Sequence, residues 1–137
     1  MTAWERAKSL LAEGGHTCVL CSHSQTQVSN ERGVGYLLGL LDSKADVSGW
    51  YVADKVVGKG AAFLYVLLGV RAVYANVMSV AAREVLERYG IQTEYAELPA
   101  RIVNRTRTGF CPIESAVVDE TSPQFALQKI RERIHTL

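Results

Sequence analysis

Ala53-Asp54-Lys55-Val56-Val57-Gly58-Lys59-Gly60-Ala61-Ala62 is the stretch on which the fold turns. The run Gly49 to Ala53 leading into it reads as a short apolar strand. From Val56 to Leu68 the chain is apolar at nearly every position, which predicts a helix closed by Gly69. A helix that is apolar almost all round is buried between a sheet and another layer. Gly58, Gly60, Ala61 and Ala62 let its first turns approach a strand closely. In open α/β sheets ligands bind beyond the carboxyl ends of the strands, and a helix N-terminus offers free N–H groups with a partial positive charge. On such a helix Lys55 and Lys59, four apart, share one face. Asp54, Lys55 and Lys59 therefore line a candidate site for a phosphate or carboxylate. The spacing is not that of a P-loop. The structural alternative is that Asp54 caps the helix, Lys55 is solvated and the small residues serve packing.

Outward from this unit the pattern stays periodic. Thr2 and Glu5 have the form of a capping box for an amphipathic helix over about 3–13. His16 to Ser22 and Gln25 to Ser29 read as an antiparallel hairpin, and Gly33 to Leu41 as a short helix with Tyr36, Leu37, Leu40 and Leu41 inward. Downstream, Arg71 to Ala75 is a strand, Ser79 caps a helix closed by Gly90, and Ile91 to Ala96 is a further strand. Residues 97–110 show no periodicity. Cys111-Pro112-Ile113-Glu114 opens a short helix and Ser122-Pro123 the last one. A hairpin followed by alternating helices and strands implies a five-stranded mixed sheet, with parallel members and helices on both faces.

The chain has 137 residues, enough for one domain, spanning 1–137. Its net charge of +1 gives no footprint for nucleic acid or a membrane surface, so neither is an expected partner. The N-terminus lacks the order of a signal peptide, and the longest apolar stretch is too short to span a bilayer. A cytoplasmic protein is the expectation. Three cysteines are an odd number and argue against a disulfide framework.

Three other stretches could carry chemistry. In Cys111-Pro112-Ile113-Glu114 the thiol stands at a helix N-cap, a position that favours thiolate, and Glu114 could serve as an acid or base. The alternative is that Glu114 completes a capping box. Cys18 and Cys21, flanked by His16 and His23, invite a zinc or redox reading. On a strand, however, positions three apart face opposite sides, which predicts two separate buried thiols. In the loop Asn104-Arg105-Thr106-Arg107, Asn104 could read a base edge and Arg105 could pair with phosphate, against the alternative of a solvated basic loop.

Val52 to Ala62, with Asn104-Arg105 and then Gly109-Phe110-Cys111-Pro112-Ile113-Glu114, resembles the small bacterial domain-of-unknown-function family numbered 1893. The resemblance covers about residues 16–135 and is weakest in the hairpin. That family is similar in fold to cytidine deaminases, so the resemblance implies a three-layer deaminase-like architecture. A zinc deaminase carries His-x-Glu at one helix start and Pro-Cys-x-x-Cys at the next. The corresponding places here, near Glu31-Arg32-Gly33 and Ala53 to Val57, hold neither His nor Cys. The three protein ligands that hydrolytic zinc needs are thus missing, and no metal or cofactor is expected.

The resemblance implies a cleft where two helix starts converge, near Gly33–Gly35 and Asp54–Lys59, with Asn104, Cys111 and Glu114 on the same side. The expected function is binding of a nucleotide-like or other anionic small molecule there, by Gly33, Gly35, Asp54, Lys55, Lys59, Asn104 and Arg105. A zinc-independent enzyme, with Cys111 as nucleophile and Glu114 as acid/base on a nucleobase-like or carbonyl substrate, is the alternative. A scaffold without chemistry is the third reading. A homo-oligomer, a dimer by base rate, is the expected assembly.

Overall fold

The computed structural model describes residues 1–103 and 109–136. Helix α1 (Ala3–Ala12) starts at the capping box of Thr2 and Glu5. Strands β1 (Cys18–Cys21) and β2 (Thr26–Ser29) form the hairpin, and α2 (Gly35–Asp42) follows. Three strand–helix steps come next: β3 (Tyr51–Val57) to α3 (Lys59–Leu68), β4 (Ala72–Met78) to α4 (Val80–Arg88), then β5 (Gln92–Glu97). Two helices, α5 (Pro112–Ala116) and α6 (Pro123–Thr136), close the chain.

The strands make one five-stranded mixed sheet in the order β2-β1-β3-β4-β5. β1 is antiparallel to β2 and β3, whereas β3, β4 and β5 run parallel. The sheet separates two cores. On one face α1 lays Ala3, Ala7 and Leu11 on Val19, Cys21 and Ala53. On the other, α2, α3 and α4 bury Leu37, Leu40, Phe63, Leu64, Val85 and Leu86 against Val52, Val73 and Ala75. Cys18 belongs to this second core and Cys21 to the first, so the two thiols face opposite sides, as alternation requires.

The decisive stretch departs from its sequence reading. β3 does not stop at Ala53 but runs to Val57, paired in parallel with β4 through Val56↔Val77 and Val57↔Met78. Helix α3 begins at Lys59, with Gly58 as its N-cap in extended backbone. The physical reason is sheet pairing: Asp54 and Lys55 break the apolar run but keep strand alternation, and two successive valines suit a pleated surface. Lys55 is therefore a strand residue and Lys59 a helix residue. They share no helical face, and Asp54 caps no helix. β4 likewise extends past Ala75 to Met78.

Residues 61–65 of α3 are all buried, and α3 lies against α2, α4, α5 and α6. Its start depends on missing side chains. A Cβ at Gly60 would stand 2.8 Å from Ile113 Cγ2, and one at Gly58 would stand 3.1 Å from Glu114 Oε2. Glycine at these positions seats α5 directly on the first turn of α3. No helix among the described residues is long and apolar enough to cross a membrane.

Candidate functional site

Two carboxyl groups define the candidate site: Glu114 at the carboxyl end of the parallel strands, and Asp54 midway along β3. Glu114 is only 4% exposed. Its Oε2 accepts from the Lys59 backbone N–H at 2.9 Å and from the Ser79 hydroxyl at 2.5 Å, and its Oε1 accepts from the Ile102 N–H at 2.8 Å. The Ser79 oxygen in turn accepts from the Ala82 N–H at 3.1 Å, capping α4. Glu114 thus places a carboxylate at the N-terminus of α3 and ties it to the cap of α4. An acid at this pole satisfies free N–H groups and faces the positive end of the helix dipole. The anion position read from the glycine-rich stretch is filled by the protein's own side chain. Glu114 makes no capping box with Cys111; it caps a different helix, 55 residues away in sequence.

Asp54 lies on β3 with its carboxyl on the α3 side. Its Oδ2 accepts from the Tyr65 hydroxyl at 2.6 Å, and the Tyr65 oxygen lies 3.3 Å from the Cys18 thiol. With the tyrosine proton directed at the carboxylate, the thiol is the donor to the tyrosine oxygen. Burial pushes the Asp54 carboxyl up to about 6, against the pull of the Tyr65 hydroxyl and the Val56 and Lys55 N–H groups. Burial also raises the Tyr65 phenol and the Cys18 thiol well above their usual ranges, with the nearby Asp54 charge acting in the same direction. Tyr65 and Cys18 are buried, while Asp54 keeps partial contact with solvent. The result is a chain of hydrogen bonds that ends on a carboxyl pushed toward neutrality by burial.

The start of α2 borders this chain. Tyr36 donates to the Gln27 side chain at 3.1 Å, and burial raises its phenol, with the Cys18 and Glu31 charges adding to the shift. Gly33 is exposed with φ +77 in the turn before α2. Gly35 opens that helix, and a Cβ there would lie 3.9 Å from Glu31 Oε1. The Thr17 hydroxyl binds the Glu31 carbonyl, and the Thr17 carbonyl accepts from the Lys55 N–H at 3.0 Å. These links hold the residues before α2 beside the end of β3.

Of the residues singled out in the sequence, Gly33, Gly35 and Asp54 flank this place. Lys55 is exposed, and strand alternation directs its side chain opposite to that of Asp54. Lys59 turns its ammonium to the Val118 carbonyl at 2.7 Å, and burial lowers it below the usual lysine range. Cys111 is half-buried at the N-cap of α5, makes no side-chain capping bond, and donates its N–H to the Ile102 carbonyl at 2.8 Å. Asn104 and Arg105 lie outside the described residues. Sequence reasoning missed Tyr65 and Ser79 as partners of the two acids. Tyr65 carried a signal: it is the one side chain with a polar group in Gly60 to Leu68, and a buried tyrosine hydroxyl needs a partner. Among the described residues no three His, Cys, Asp or Glu side chains come together as a metal site.

No curated protein matches the sequence. A crystal structure of a DUF1893 family protein from Thermotoga maritima is similar in fold, with a TM-score of 0.84 over 98% of this chain and 90% of that chain, at 21% sequence identity. The family model described as TM1506, domain of unknown function (DUF1893), matches residues 6–134, and the chain belongs to that family.

Proposed function

We propose that this chain is a small-molecule-binding domain of cytidine-deaminase-like architecture, with its site at Asp54 on β3 beside the start of α2. The observation that carries this reading is the hydrogen-bonded chain of Cys18, Tyr65 and Asp54, in which burial pushes the Asp54 carboxyl up to about 6. An acid whose ionisation is perturbed by burial beside a specific partner is a candidate for function. The surroundings favour a ligand that presents N–H donors. Glu114 fills the anion position on α3, Lys59 is engaged by Val118, and Glu31 adds acidity before α2. A nucleobase-like edge fits such an acceptor, and this replaces a phosphate as the group recognised. The domain works as a binding module without zinc. That reading rests on the sequence: near Glu31-Arg32-Gly33 and Ala53 to Val57, where a zinc deaminase holds its ligands, the chain has neither His nor Cys. Glu114, with both oxygens engaged, serves architecture in this reading, and Cys111 occupies the N-cap position of α5 without a side-chain bond.

Calorimetry with free nucleobases and nucleosides, on the wild type and on Asp54→Asn, tests this. The expected result is saturable binding by at least one compound, tighter above pH 6 than below it, and weakened about tenfold or more in the variant. Absence of binding by every compound, or equal binding by Asp54→Asn, would refute it.

A further inference from the structure

β5 is an edge of the sheet, and among the described residues no strand lies beyond it. Its six residues include neither proline nor lysine, two of the devices that keep an edge from pairing. Thr93 is half-buried and the rest are exposed. The Gln92 N–H donates to the Arg71 carbonyl at 3.1 Å, on the β4 side. Along a strand the backbone groups of successive residues alternate in direction. Gln92, Glu94 and Ala96 therefore turn theirs to β4, and Thr93, Tyr95 and Glu97 turn theirs outward.

A second copy of β5 fits this edge in one antiparallel register. Residues directly opposite share a face, so a two-fold axis must pass through a residue. Centred on Glu94, the pairing would set two carboxylates opposite each other, about 4.5 Å apart at their Cα atoms, which is destabilising. Centred on Ala96, it would set Thr93 opposite Pro99, which has no N–H to give. Centred on Tyr95, every outward group finds a partner: Tyr95 meets Tyr95 of the second copy, and Thr93 meets Glu97. Glu94 then faces Ala96, and no like charges stand directly opposite.

The α4 side supplies a further match. The Thr93 hydroxyl donates to Glu87 at 3.3 Å, so Thr93 and Tyr95 face α4. Arg83 lies beside Tyr95, and its Nε, 3.9 Å from the Glu87 carboxylate, is buried with no hydrogen-bond partner among the described residues. In the Tyr95-centred register Glu97 of the second copy arrives beside Thr93. That position is a diagonal neighbour of Tyr95, within reach of a long side chain. A guanidinium has donors enough for both acids.

We propose that the chain forms a two-fold dimer through β5, antiparallel and centred on Tyr95, which joins two five-stranded sheets into one. An edge of six residues buries less than a standard interface, so the dimer dissociates on dilution. Sedimentation of the full chain up to about 1 mM should show monomer passing to dimer as concentration rises. Tyr95→Pro removes an N–H that bonds nothing within the protomer, and should leave a folded monomer. The exposed Ala96 reads the register without disturbing the fold. Ala96→Lys sets a cation opposite Glu94 of the second copy and should tighten the dimer about threefold or more, whereas Ala96→Glu should weaken it by a similar factor. If Tyr95→Pro fails to fold, the two Ala96 variants decide. A monomer at every concentration, a dimer indifferent to a folded Tyr95→Pro, or one that responds alike to both Ala96 variants would overturn the proposal.

Discussion

Glu114 on α5 meets three protein donors with its two oxygens. Asp54 on β3 meets one side-chain hydroxyl and the weaker pull of the Val56 and Lys55 N–H groups, and burial still dominates its ionisation. Glu114 stands against Gly58 at the start of α3, and Asp54 lies four residues before that glycine on β3. The first is committed to holding helix starts together. The second is held ready but not used up. The contrast teaches that acidity in a cleft does not identify a site; what matters is how much acceptor capacity the protein has already consumed.

The largest expected effect tests the committed acid. Glu114→Ala leaves three donors without their acceptor in a buried setting, which should cost about 3–5 kcal/mol of stability. Urea denaturation reads this directly, and added acetate or formate should restore part of the loss by occupying the vacated position. A loss under about 1 kcal/mol would break the comparison.

Asp54 should show a different dependence on pH. Its folded-state carboxyl is raised to about 6 from an ordinary 3.8, so the fold favours the protonated form. Stability from this group is fully present below 3.8 and is lost as pH rises through about 6. A shift of this size corresponds to about 2–3 kcal/mol. Denaturation midpoints of the wild type should therefore fall relative to Asp54→Asn across that window and run parallel above it. A constant difference at all pH values would show that burial does not govern this carboxyl.

Gly60→Ala sharpens the comparison from the packing side. The added Cβ meets Ile113 Cγ2, so the substitution should push α5 off α3 and cost about 1–3 kcal/mol. Combining it with Ile113→Ala should recover part of that loss, measured as a double-mutant cycle. Lys55→Ala is the smallest effect. An exposed strand residue directed away from Asp54 should change stability by less than about 0.5 kcal/mol and leave binding at Asp54 intact. A large binding loss in that variant would return Lys55 to the site.

Much of this architecture was legible because it is local. Thr2 with Glu5 and Ser79 with Ala82 cap helices through bonds spanning three residues, and residue type at fixed spacing announces them. The separation of Cys18 from Cys21 follows from strand periodicity alone. The end of β3 was not legible from hydropathy, because Asp54 and Lys55 look like a break when they are strand residues with one exposed and one satisfied side chain. The valine pair at 56 and 57 before a glycine was the available signal. The candidate site was half legible. Asp54 stood out at a strand end, but Tyr65 is 11 residues away on a helix, and the register of β1 on β3 brings Cys18 opposite Asp54. Long-range pairing of this kind has no local signature.

Glu114 also bears on when the fold becomes secure. Its three donors all precede it in the chain, by 55, 35 and 12 residues. A chain emerging N-terminus first can assemble α1 to β5 while the starts of α3 and α4 still lack their common acceptor. Closing so long a loop comes late in folding, after the entropy of bringing its ends together has been met. A contact formed late weighs little on how fast the chain folds and heavily on how slowly it comes apart. Glu114 is thus placed as a latch: Glu114→Ala should speed unfolding more than it slows folding, read from the two arms of a chevron plot.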